Sequence, residues 1–288
     1  MMSKKQRKAE KVYAKEAEAA NRNMEGDVTM PVLEDDDLNI STGFRVGHAQ
    51  IVGTRKNQED SYVVSNLNDP MLIYDKGLLA VVADGIGGLD AGEVASKAVI
   101  DGMCSKYGAQ SGNQGVCERL LEMAGVAQRS VLSVARSAPQ CGSTLVSVLI
   151  QQRNMAFVSV GDSRICLYRA GTLLQLNREH ILARDADEAT VLANAPANTD
   201  ARKRKALTAF MGKANLRLID RNTSPMRLIC GDRILLMSDG VFGTLNDDEL
   251  ISMMDLPPQA AAEAAVQAVE AKRREHQDNA TIVIVEIE

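Results

Sequence analysis

Three apolar runs in this chain end on an aspartate with a glycine directly beside it: AVVADG at Asp84, FVSVGD at Asp162 and LLMSDG at Asp239. A carboxylate is poorly suited to the interior of a strand, so each of these acids marks a strand end, and the glycine lets the backbone turn or come close to a bound ion. Strand ends are rigid platforms for ligands, and the repetition matters more than any single Asp-Gly, which alone reads as an ordinary turn. Asp278 stands just before the last apolar run, QDNATIVIVEI, and Glu59-Asp60 open another in RKNQEDSYVV, so six carboxylates are candidates for one site.

If these acids converge they need compensation, because two like charges about 4 Å apart repel by roughly 4 kcal/mol at an effective dielectric near 20. Oxygen ligands without accompanying His or Cys select hard octahedral cations, so Mg²⁺ or Mn²⁺ fits and zinc does not. Arg55 lies four residues before Glu59. Its guanidinium fork suits two phosphate oxygens, although taken alone it reads equally well as half of a surface ion pair.

The rest of the chain frames this set. At 288 residues with 45% hydrophobic composition, one large core is possible without disulfides or structural metals. The five cysteines have no CxxC spacing and read as reduced core residues. Residues 1–40 run from a Lys/Arg/Glu/Ala-rich stretch to the acidic Glu34-Asp35-Asp36-Asp37 and are expected to form a mobile charged extension to a domain over 41–288. No apolar run is long enough to span a bilayer and the N-terminal stretch has no apolar h-region, so a cytoplasmic location and no membrane are expected. A formal charge of −5 and a pI near 5.4, with 3% aromatics and no Trp, argue against nucleic acid as partner or substrate.

Strands are expected at 44–52, 61–64, 78–83, 143–150, 155–160, 164–168, 232–238 and 281–287. The stretch 143–168 reads most simply as a three-strand meander. Helical spacing appears at 92–108 and 117–135, after Asn246 with Glu249 three residues on, and from the Pro257-Pro258 pair. Residues 177–225 have no sustained apolar face and read as an inserted flap, with the basic run Arg202-Lys203-Arg204-Lys205 as a solvated turn. Many strands with helices in adjacent pairs indicate an α+β layered domain.

At this point the residues resemble the metal-dependent protein phosphatases of type 2C, the PPM family. Arg55-Lys-Asn-Gln-Glu59-Asp60, Ala83-Asp84-Gly85-Ile-Gly-Gly with Ala91-Gly92-Glu93, Gly161-Asp162-Ser163-Arg164, Ser238-Asp239-Gly240-Val241 and Asp278-Asn279-Ala-Thr281 follow the family's motifs in order, across about 44–287. The resemblance implies a four-layer α-β-β-α sandwich: two central antiparallel sheets flanked by helix pairs, with metals in a cleft at one end. It implies Mn²⁺ or Mg²⁺ as a pair of ions, with Asp84 bridging both, Gly85 lending its carbonyl, and Asp239 and Asp278 as ligands. Glu59 and Asp60 would orient metal-bound water, Asp162 with Asp239 would offer a third, weaker site, and Arg55 would hold the substrate phosphate. The implied reaction is hydrolysis of phosphoserine and phosphothreonine in proteins by a water shared between the ions, with Asp60 orienting or deprotonating it. The substrates would be those of a cognate Ser/Thr kinase, and the enzyme a monomer.

Two positions depart from many eukaryotic members. Position 86 is Ile and not a histidine, as in bacterial-type members, and Gly243 stands where animal members place a further acid on the third metal. His48, His180 and His276 lie outside the acid motifs and are expected to be structural. Two rival readings are a non-catalytic phosphatase-like sensor or scaffold and another two-metal phosphohydrolase such as a nuclease. The first leaves the retained acids unexplained, and the second conflicts with the acidic charge and scarce aromatics.

Overall fold

The computed structural model describes residues 43–86, 91–109, 114–136, 141–182 and 206–288. The longest unbroken apolar runs are strands covered on both faces. Along β3 (Leu78–Ile86), Leu79, Val81 and Ala83 enter one core, whereas Leu78, Ala80 and Val82 enter another. Along β12 (Ala280–Ile287), Val283, Val285 and Ile287 share that second core, and Ile282 and Ile284 enter a third. Successive strand side chains point to opposite faces, so a strand without polar alternation is one with protein on both sides. Three stacked cores between layers give the α-β-β-α sandwich.

One sheet orders β1 (Phe44–Ile51), β12, β11 (Arg233–Met237), β7 (Arg164–Arg169) and β8 (Thr172–Gln175). The other orders β10 (Met226–Arg227), β6 (Asn154–Val160), β5 (Leu145–Gln151), β3 and β2 (Asp60–Val64), with β4 (Gly142–Ser143) on β3 and β9 (Asp220–Arg221) on β6. Neighbouring strands are antiparallel throughout. Outside the second sheet lie α2 (Ala91–Ala109) and α3 (Val116–Ala135), through Val99, Met103, Leu120, Met123 and Val131. Outside the first lie α4 (Asp239–Phe242), α5 (Asp247–Ser252) and α6 (Pro258–Ala271), through Val241, Leu250, Ala261, Ala265 and Val269. The capping box opening α5 is the expected one, with Asn246 Oδ1 accepting from Glu249 N and Glu249 Oε2 accepting from Asn246 N, both at 2.9 Å.

Three features differ from the sequence expectation. A short helix, α1 (Pro70–Lys76), is capped by Asp69 and buries Ile73 alone among its residues, too little to leave a periodic signal. The meander breaks after two strands: β5 pairs with β6, but β7 pairs with β11 in the other sheet. Gly161, at φ 105°, turns the chain from one layer to the next, so Asp162 stands at the seam between the sheets. The segment expected as one flap is anchored at its C-terminal part: Met211 and Ser143 exchange backbone hydrogen bonds of 2.7 and 3.1 Å, and Asp220–Arg221 adds to β6. Residues 183–205, with the basic run, and the N-terminal extension 1–40 lie outside the described residues.

Gly47 on β1 lies directly under the start of α6, where an added Cβ would fall 2.1 Å from the Pro258 carbonyl carbon. Gly47→Ala forces the helix off the sheet and is expected to cost roughly 2 kcal/mol, or about 4–8 °C in thermal unfolding. A melting temperature within about 1 °C of wild type would show that this packing is looser than described.

Candidate metal centre

Strand pairing alone brings two of the acids together, since Asp60 at the start of β2 is the register partner of Asp84 near the end of β3. Asp60 is buried at 4% exposure, and its Oδ2 accepts from Ser238 Oγ at 2.8 Å and Thr281 Oγ1 at 2.7 Å. Those hydroxyls belong to the opposite sheet, where Ser238 N donates to Thr281 O (3.0 Å) and Thr281 N donates to Ser238 Oγ (2.9 Å). Oδ1 of Asp60 is buried with no hydrogen-bond partner. An orphaned carboxylate oxygen at this depth is costly unless a proton, a water or a cation meets it.

Asp84 is fixed through its backbone. Its N–H donates to Thr144 Oγ1 (2.9 Å), its carbonyl accepts from Thr144 N (2.8 Å) and Ser143 Oγ (3.0 Å), and Thr144 Oγ1 meets Ser163 Oγ at 2.8 Å. This chain of contacts joins Asp84 to the turn carrying Asp162. His180 clamps that turn from the other side, its N–H donating to Gly161 O (2.8 Å) and its Nδ1 accepting from Gly161 N (3.1 Å), a structural role as expected. Gly85 N donates to Glu59 O (3.1 Å), and a Cβ on Gly85 would lie 2.3 Å from Gly92 O, so only glycine lets these backbones meet.

Asn279 is the hub of the remaining side. Its Nδ2 donates to Val52 O (2.8 Å) and Asn57 O (3.0 Å), its Oδ1 accepts from Glu59 N (2.7 Å), and its N–H donates to Asp278 Oδ1 (2.9 Å). Asp278 Oδ2 accepts from Arg55 Nη2 at 2.6 Å. Asp239 begins α4, and Gly240 beside it lies so close to Asn279 O that a Cβ would fall 1.9 Å away. Arg164 ties α4 to the seam, with its guanidinium 4.0 Å from the Phe242 ring centroid and Nε donating to Glu179 Oε1 at 2.5 Å.

The charges report the convergence. Burial, followed by Asp60, Asp239, Asp162 and Asp278, holds the Asp84 carboxyl well above its usual range. Burial raises Asp60 to about 7, against the lowering donors Thr281 and Ser238 and with Asp239 and Asp278 adding to the rise. Desolvation of Arg55 is outweighed by Asp278, Glu59 and Asp239, and its guanidinium is held more firmly charged. Five of the six predicted acids thus converge, with Asp60, Asp162, Asp239 and Asp278 all acting on Asp84, and Glu59 joins Asp239 and Asp278 in acting on Arg55. Among the described residues no three His, Cys, Asp or Glu side chains close around a single point as in an all-protein cage. The donors are all oxygen, which fits hard ions that keep water and carbonyl oxygens in their shells. Ser238, Thr281, Thr144 and Asn279 received no role in the sequence reading. For Ser238, Asn279 and Thr281 the signal was position, within three residues of an acid in their motifs, whereas Thr144 lies in no motif, and the contacts made by this set span up to 227 residues of chain.

Comparison with known proteins gives a family model described as protein phosphatase 2C, matching residues 44–199. The serine/threonine protein phosphatase PstP of Mycobacterium tuberculosis is 25% identical over 237 residues, which are 81% of this chain and 43% of PstP. The serine/threonine phosphatase Stp of Listeria innocua is 25% identical over 218 residues, 74% of this chain and 85% of Stp. The crystal structure of the catalytic domain of PstP in complex with two manganese ions superimposes with a TM-score of 0.66 at 23% identity, covering 85% of this chain and 98% of that one, which establishes a shared fold. The chain therefore spans less than half the length of PstP.

A carboxyl held near 7 when folded, against its ordinary 3.8, binds more protons folded than unfolded, so stability falls as pH rises between those values. In chelator, the protein is expected to melt at a lower temperature at about pH 8 than at about pH 5. Asp60→Asn removes part of that slope and is expected to melt roughly 3–6 °C above wild type at the higher pH, with the gap closing at the lower one. Thermal unfolding across pH checks this, and a wild-type melting temperature rising over the range would contradict it.

Proposed function

Because the chain belongs to the protein phosphatase 2C family, we propose that residues 41–288 form a metal-dependent protein serine/threonine phosphatase domain, with phosphorylated proteins as substrates. The observation that carries this reading is the meeting of acids from separate segments, Asp60 paired in register with Asp84 and with Asp162, Asp239 and Asp278 close enough to act on Asp84, beside a buried carboxylate oxygen that has no protein partner. PstP and Stp are serine/threonine phosphatases by name, and the manganese pair in the PstP catalytic domain supports Mn²⁺ or Mg²⁺ here.

Asp84, Asp239 and Asp278 would hold two divalent ions, with the Gly85 carbonyl completing the set and Asp162 with Asp239 offering a weaker third position. When bound, the ions offset the carboxylate charge and make a water shared between them acidic enough to attack phosphorus near neutral pH. Asp60 is held by Ser238 and Thr281 through Oδ2, which would leave Oδ1 to orient that water and take its proton. Glu59 orients a second water. Arg55 is pinned by Asp278 through Nη2, which leaves the other donors of the fork for phosphate oxygens. Gly243 brings no carboxylate to the third position, which would weaken it, and its carbonyl accepts from Arg274 Nη1 at 2.6 Å. No histidine occupies position 86, so the leaving oxygen takes its proton from water.

Further parts of the proposal are a cognate Ser/Thr kinase, a monomeric state and a cytoplasmic location. Among the described residues no helix is long and apolar enough to cross a membrane.

Purified protein is expected to hydrolyse p-nitrophenyl phosphate and a phosphothreonine peptide with Mn²⁺ and to stop in chelator. Asp239→Ala is expected to lower kcat/KM at least about 100-fold, or about 2.7 kcal/mol, and Arg55→Ala to raise KM about tenfold. A folded wild type inactive with both Mn²⁺ and Mg²⁺ would reject the enzyme and leave the sensor or scaffold reading in front.

A further inference from the structure

Asp239 and Asp278 are also the inner wall of a recess of about 180 Å³, with Thr244 and Gln277 on its floor and Arg274 and His276 at its rim. The floor is rigid: Thr244 Oγ1 donates to Gln277 Oε1 (3.0 Å), and Gln277 Nε2 donates to Gly240 O (3.2 Å) and Asp278 O (3.1 Å). The rim is different. Arg274, in the exposed turn between α6 and β12, spends Nη1 on the Gly243 carbonyl, and its guanidinium makes no ion pair with a carboxylate among the described residues. An arginine anchored by one donor, with the rest of its fork beside a preformed polar recess, is equipped to receive an oxyanion.

The recess adjoins the proposed phosphate anchor, because Asp278 accepts from Arg55 and also lines the recess. It has room for a single anionic group and not for a length of peptide. A residue one or two places from the phosphoresidue reaches it, at about 3.3 Å per residue of extended chain. Resting on the phosphatase reading, we infer that this recess is a subsite for an oxyanion carried by the substrate next to the scissile phosphate, either an Asp or Glu carboxylate or a second phosphate. Arg274 is its specificity-determining residue and His276 a flanking donor. The acidic inner wall admits an anion once cations offset Asp239 and Asp278, so the preference belongs to the Mn²⁺-loaded protein.

The test uses phosphothreonine peptides carrying Glu, phosphoserine or Gln within two residues of the phosphothreonine, together with non-hydrolysable phosphonate versions for binding by fluorescence anisotropy. Wild type with Mn²⁺ is expected to favour the Glu or phosphoserine peptide over the Gln peptide about tenfold in both kcat/KM and Kd. Preference for one of the two identifies which oxyanion is read. Arg274→Gln brings the ratio to about one, and Arg274→Lys, which keeps the charge and a donor for Gly243, gives an intermediate ratio; a purely structural loss would lower all peptides alike. Wild-type ratios near one, or an Arg274→Gln ratio equal to wild type, overturn the subsite. Acidic preference in anisotropy without turnover of any peptide would reject the hydrolase and keep the subsite, and turnover without preference would do the reverse.

Discussion

Asp60 is a carboxylate held between two sheets, with one oxygen satisfied by Ser238 and Thr281 across the interlayer space and the other without a partner. The rest of the site is arranged around that imbalance. A buried charge is tolerated when paired or hydrogen-bonded on all sides, and here the nearest charges are other acids, which raise the cost. The fold can hold such a cluster because each acid sits at a strand end or a turn whose backbone is tied by several hydrogen bonds. The repulsion is borne by a frame that the three cores stabilise elsewhere.

That frame depends on close backbone approach. Gly85 against Gly92, and Gly240 against Asn279, leave no space for a side chain, and each glycine adjoins an acid of the centre. Asn279 converts this closeness into register by bonding Val52, Asn57 and Glu59, so the segment carrying Arg55 and Glu59 is positioned from the last strand. A centre on such supports is preorganised. The rim with Arg274 and His276 is exposed loop on a rigid floor, a division between fixed chemistry and variable recognition common in enzymes.

The sequence by itself determined the layered class and the acids. Unbroken runs such as LLAVVA and TIVIVEI required sheets covered on both faces, and the strand-end aspartates required a shared purpose, because hydrophobic patterning and the cost of carboxylates in strands are local properties. Most helices were legible from spacing and capping, whereas α1, with one buried residue, was not. Tertiary structure alone decided that β7 leaves β6 for the other sheet, since strand pairing is a choice among distant partners and the Gly161 turn fits either outcome. It also decided that Ser238, Thr281 and Asn279 serve the centre and that Arg274 borders it. Hydrogen bonds between residues about 180 to 220 positions apart leave no periodicity in a chain, and they exist only once two sheets have closed on each other.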